Sequence, residues 1–221
     1  MRLRKILILV EGQTEETFVR NVLAPHLQKH EIYDVRVTLL TTKRVKSGPS
    51  FKGGVTNFAQ VEGDVRRLLG DSSATTVTTM FDYYGLPPGF PGLQTRPRGD
   101  PYQRVHHVES EFRKAIGDRR FEPFLTLHEF EAFVFADVSK CRAVFASESI
   151  TAALTRVAQA FASPEEIDEG AATAPSKRII SIFPEYEKPL HGPLATLHVG
   201  LELLRERCRH FDGWVKKLET R

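Results

Sequence analysis

Hydrophobic and polar positions alternate along this chain in blocks that predict strands and helices in turn. The apolar run Ile6-Leu7-Ile8-Leu9-Val10 predicts a buried strand over about 4 to 10, and the 3.6-residue spacing of Phe18, Val22 and Leu23 predicts a helix over 14 to 29. A strand over 33 to 42 and a helix over 56 to 69 follow, separated by a glycine-bearing loop. The β-branched run at 75 to 81 predicts a further strand, and the segment after Asp82 is too rich in proline and glycine for regular structure. A helix over 101 to 116, a strand over 121 to 127 and a helix over 128 to 137 complete the alternation. Beyond these, 149 to 162 reads as helical and 163 to 176 as an acidic, alanine-rich surface loop. Residues 193 to 219 read as one long helix with Leu194, Leu197, Leu201 and Leu204 on its apolar stripe.

Strands and helices in alternation imply an α/β fold with a mostly parallel sheet flanked by helices, and the last eighty or so residues (about 140 to 221) form a mainly helical C-terminal extension of a single domain. Hydrophobic residues are 41% of the 221 and charged residues 27%, and no apolar run reaches the ~20 residues of a membrane helix. The apolar stretch after the basic start ends at Glu11 without a small-residue cleavage site, so the reading is a cytoplasmic protein rather than a secreted one. Cys141 and Cys208 are too far apart for a zinc or redox motif. A net charge of +3 is compatible with a polyanionic partner without requiring one.

Carboxylates stand at the predicted strand ends: Glu11 after the first, Asp82 after the third, and Glu129 and Glu131 just past the fourth. Acids brought together repel one another, and a hard cation such as magnesium or manganese relieves that repulsion while leaving room for water and phosphate. Such a centre stabilises charge developing in phosphodiester cleavage and lowers the pKa of an attacking water. Glu129 and Glu131 point to opposite sides of a helix and to one side of an extended segment, so a helix admits one of them as a ligand. Glu15 and Glu16 lie in a first helical turn, where the helix dipole alone accounts for acids. His128 borders the proposed centre, and its structural reading is the simpler one. Loop cations (Lys43, Arg44, Lys46 and Lys52 early in the chain; Arg96, Arg98 and Arg104 after Asp82; Lys177, Arg178 and Lys188 later) are of the type that neutralises phosphates without reading sequence.

Val10-Glu11-Gly12, Asp82 with Gly85, and Glu129-Phe130-Glu131-Ala132 with Asp137 resemble an uncharacterised bacterial family of Toprim-like proteins, related to the Toprim domains of OLD-family nucleases. Tyr186-Glu187-Lys188 and the Cys208, Phe211, Trp214 spacing extend that resemblance over most of the chain. The resemblance implies metal-dependent phosphoryl transfer on nucleic acid, DNA first, with Glu11, Asp82 and Glu131 as metal ligands. Glu129 and Glu15 are further candidates for the metal, and Lys188 for phosphate stabilisation. It also implies an ATPase partner of the SMC or AAA type and a setting in defence against phage or mobile elements. The chain departs from the wider Toprim pattern at Tyr84, which stands where a second aspartate is expected. That departure leaves open a non-catalytic module binding nucleic acid or an ATPase, and nothing in the residues excludes a small-molecule phosphohydrolase.

Overall fold

The computed structural model describes residues 4–41, 55–167, 170 and 172–220. The fold is α/β: a parallel sheet of five strands carries helices on both faces, and further helices gather at the C-terminal end of the chain. Strand β1 (Lys5–Val10) lies between β2 (Asp34–Leu39) and β3 (Thr76–Asp82), and β3 pairs in turn with β4 (Phe121–Glu122) and β5 (Leu125–Thr126). Successive residues of β1 face opposite ways, so Ile6, Ile8 and Val10 enter one core and Leu7 and Leu9 the other. A strand buried on both faces must be apolar throughout, which is why β1 reads as a continuous run.

The first core holds α1 (Gln13–Phe18), which runs through a π-helical turn, Val19–Leu23, into α2 (Ala24–Lys29). The second holds α3 (Phe58–Leu69) and α4 (Pro101–Ile116), with Val61, Val65, Val105, Val108 and Phe112 buried against the sheet. Asn57 caps α3 by accepting from the Gln60 amide at 2.9 Å, and Asp100 caps α4 by accepting from the Tyr102 amide at 2.8 Å.

The predicted strand at 121 to 127 is split. Pro123 has no amide hydrogen to give the ladder, and the Thr79 hydroxyl bridges the gap, donating to the Phe124 carbonyl at 3.0 Å and accepting from its amide at 3.1 Å. The predicted helix at 128 to 137 is a 3-10 turn, Phe130–Ala136, every residue of it buried. A second such turn, Val138–Cys141, leads to α5 (Arg142–Phe145) and α6 (Glu148–Gln159).

The segment read as an acidic surface loop contains a 3-10 turn, Pro164–Glu166, and the start of α7 (Pro175–Ile182). Its Glu165 is buried, accepting from the His210 and Phe211 amides at 3.0 Å each and so capping the last helix. The single long helix expected at 193 to 219 is three: α8 (Lys188–Val199), α9 (Leu201–Arg207) and α10 (Arg209–Thr220). Gly200, at φ 82°, turns the chain between the first two. Leu201 and Leu204 are buried as their spacing predicts, whereas Leu194 and Leu197 are 42% and 50% exposed because α8 turns that face outward.

Candidate active site

Chain order fixes where a site forms. From β1 the chain passes to β2 on one side, then crosses to β3 on the other, so the strand order reverses between β1 and β3. In open α/β sheets a switch point of this kind places a crevice beyond the carboxyl ends of the strands. Val10 pairs with Met80, which sets Glu11 and Asp82 side by side at its floor. The Asp82 amide donates to Glu11 Oε2 at 3.1 Å, and Asp82 Oδ1 accepts from the Phe130 amide at 2.8 Å. Glu15, one turn into α1, folds back to accept from the Gly12 amide at 2.9 Å and is buried. The helix-dipole reading thus holds for part of its role, while its carboxyl also enters the same acidic group.

The chain then bends sharply. His128 is buried at φ 67°, a conformation disfavoured for any residue bearing a Cβ, and its carbonyl accepts from the Tyr84 amide at 3.0 Å. This bend leaves Glu129 extended ahead of the 3-10 turn that carries Glu131, so both side chains are buried where a continuous α-helix would have separated them. Glu129 Oε2 accepts from the Ser176 amide at the start of α7 at 3.0 Å. Glu131 Oε2 accepts from Lys188 Nζ at 3.0 Å, and the same ammonium lies 3.9 Å from Glu129 Oε2. Glu131 Oε1 and the Tyr186 hydroxyl are buried and have no hydrogen-bond partner among the described residues. Tyr186 was visible in the sequence only as the other end of the Tyr-x-Lys segment.

Electrostatics follow from this crowding. Burial, reinforced by the neighbouring carboxylates, pushes Asp82 well above the usual carboxylate range and Glu15 up to about 7. Burial also raises Glu11, against hydrogen bonds from the Asp82 and Val55 backbones, and raises Glu131 against the pull of Lys188. For Lys188 burial works the other way, but Glu131, Asp82 and Glu129 outweigh it and hold the ammonium more firmly protonated than usual.

The remaining candidates fall outside this group. Asp137 caps the second 3-10 turn through the Ser139 amide at 3.0 Å. Arg178 donates to the Thr173 carbonyl at 2.6 Å and lies over the Phe161 ring, while its neighbour Lys177 is exposed. His191 accepts from the Glu187 amide at 2.8 Å and stacks on Tyr186. Lys43, Arg44, Lys46 and Lys52 lie outside the described residues. Tyr84 is 45% exposed.

The family model for a domain of unknown function, DUF4276, matches residues 10–219. The chain belongs to that family. The match begins at Val10, one residue before Glu11, and takes in every acid of the crevice and the Lys188 that faces them. No curated protein and no solved structure matches this DUF4276 chain. Among the described residues no helix is long and apolar enough to cross a membrane.

The DUF4276 carboxylates are oxygen donors of the type that hard divalent cations take. Among the described residues, Glu11, Glu15, Asp82, Glu129 and Glu131 are set against the ammonium of Lys188, and Glu131 Oε1 is a buried oxygen donor without a hydrogen-bond partner. The carboxylate oxygens of Glu11, Asp82 and Glu131 do not all lie within 4.8 Å of one another.

Proposed function

We propose that this protein is a magnesium- or manganese-dependent phosphodiesterase acting on nucleic acid, a nuclease with DNA as its first substrate. One observation carries the reading: buried carboxylates with raised pKa values converge at the topological switch point around one lysine. Glu11, Asp82 and Glu131 are the residues to hold the metal, with Glu129 and Glu15 beside them. When bound, the metal supplies Lewis-acid stabilisation of phosphate charge and a more acidic water. Lys188, 42% exposed at its side chain, is placed to contact a phosphate oxygen while still paired with Glu131. The raised pKa of Glu15 suits it to exchange a proton near neutral pH.

The Toprim resemblance supports the same chemistry, and with it an SMC- or AAA-type ATPase partner and a role in defence, in the cytoplasm. Plasmid nicking with manganese tests the activity. Wild-type protein should convert supercoiled DNA to open circles, and Glu11→Gln should lower the rate by at least a hundredfold, as loss of a metal ligand or strong electrostatic partner does. No nicking by wild type, or equal rates in both, overturns the nuclease reading.

A second reading, a non-catalytic module for nucleic acid or an ATPase, is favoured by the Glu131–Lys188 pair, which already neutralises one of the proposed ligands. Thermal melting separates the two. Manganese should raise the melting temperature of the wild type and not of the Glu11→Gln or Asp82→Asn variants if the metal belongs to the crevice.

A further inference from the structure

A second group of ligand atoms lies on α4 and α10, away from the acidic crevice. Glu109 is buried on α4; its Oε1 lies 3.0 Å from His210 Nε2 and its Oε2 3.5 Å from His106 Nδ1. One ligand atom from each of the three residues lies within 4.8 Å of the others. A tetrahedral ion bound at about 2.0–2.1 Å holds its ligand atoms roughly 3.3 Å apart, so atoms already within 4.8 Å of one another need only small side-chain shifts to share one. The rings are fixed as well: His210 stacks on Phe124, its centroid 5.1 Å away, and meets His106 edge-on at 4.8 Å.

We propose that His106, Glu109 and His210 form a binding site for a divalent transition metal of the zinc class, with a fourth position open toward the adjoining cavity. That cavity, of about 430 Å³, is lined by these three residues together with Trp214, Arg209 and Lys217. Two imidazoles and one carboxylate select a borderline ion over magnesium, which prefers oxygen alone. Glu109 Oε1 also accepts from the Leu125 amide at 2.9 Å, which fixes its carboxylate in place. The Leu125 carbonyl, 3.1 Å from His210 Nε2, adds an oxygen donor at the same place.

The two cations on the cavity wall are held elsewhere. Arg209 lies flat over Tyr102 at 3.6 Å, and Lys217 Nζ is paired with Glu122 at 2.9 Å. By contrast, the other set with similar spacing, His26, His30 and Glu219, already contains a cation: Arg205 donates to both carboxylate oxygens of Glu219 and lies 3.2 Å from His26 Nε2. A metal there would have to displace a guanidinium, whereas the Glu109 carboxylate is met by His106, His210 and the Leu125 amide.

The test is calorimetric titration of zinc into metal-stripped full-length protein, with magnesium in excess to occupy the acidic crevice. Cobalt in a parallel sample reports coordination through its visible d–d absorption. One equivalent of zinc should bind to wild type and to Glu11→Gln alike, and cobalt should give the intense band of a four-coordinate nitrogen and oxygen site. His106→Ala removes an exposed ligand, so the metal-free protein should melt as wild type does while zinc binds at least tenfold more weakly and the cobalt band is lost. Absence of zinc binding in wild type, or equal affinity in His106→Ala, overturns the proposal. Loss of binding in Glu11→Gln would assign the zinc to the crevice and overturn it as well.

Discussion

Glu15 illustrates how one side chain serves two demands. Its carboxylate closes the first turn of α1 by accepting from the Gly12 amide, a local role that acid type and position alone explain. Burial and the nearby charges of Glu11 and Glu131 then raise its pKa from 4.5 to about 7. An acid whose pKa is higher folded than unfolded binds more protons in the folded state, so stability falls as pH rises between those two values. Metal-free protein should therefore lose melting temperature between pH 4.5 and 7, and Glu15→Gln, whose amide oxygen still accepts from Gly12, should flatten that slope. Glu109 carries the opposite sign: its lowered pKa contributes stability above pH 4.5 that is lost as pH falls toward 2. A melting series across pH for the two proteins checks both limbs.

Among the elements, α8 has the largest part in assembling the crevice, because it brings Lys188 to Glu131 from the far end of the chain. It can do so only by lying close against α1 and the Phe130–Ala136 turn. Gly192 permits that approach: a Cβ there would stand 3.1 Å from the Tyr186 hydroxyl, 3.3 Å from Thr14 Cγ2 and 3.4 Å from a Phe130 ring carbon. Gly192→Val should thus cost about 1–3 kcal/mol, as overpacking does, and displace Lys188 from Glu131. Denaturant unfolding measures the first effect, and a fall in manganese-dependent nicking beyond what the residual stability explains measures the second. α10 is anchored differently, by Trp214, which stacks on Phe124 at 4.3 Å and donates to the Thr78 hydroxyl at 2.9 Å. The repetition of Leu194, Leu197, Leu201 and Leu204 suggested one continuous stripe, but periodicity carries no record of a glycine at positive φ that re-aims the chain between its halves.

Across the whole molecule, Lys188 is paired with Glu131 at the acidic group, and further basic residues lie near it in sequence. The chain between Thr41 and Val55 carries Lys43, Arg44, Lys46 and Lys52, and the Val55 backbone at its end reaches Glu11. Lys177 stands one residue after Ser176, whose amide holds Glu129. If nucleic acid lies across this side, affinity should fall linearly in log–log form with salt. Replacing Lys43, Arg44, Lys46 and Lys52 by serine should then reduce the slope by about 0.9 for each duplex-DNA phosphate that is no longer neutralised. Fluorescence anisotropy with a labelled duplex over a salt series reads that slope, and an unchanged slope would remove this segment from the interface. The sequence by itself determined the α/β alternation, the two-sided burial of β1 and the placing of Glu11 and Asp82 at strand ends, because these depend on side-chain period and local backbone preference. It could not decide that Glu129 and Glu131 share one side, which rests on the bend at His128. Nor could it foresee that His106 meets His210 across Glu109, more than a hundred positions along the chain. Those pairings arise from the packing of α4 against α10 and of α8 against α1. The energies that fix them lie between distant segments and leave no period in the sequence.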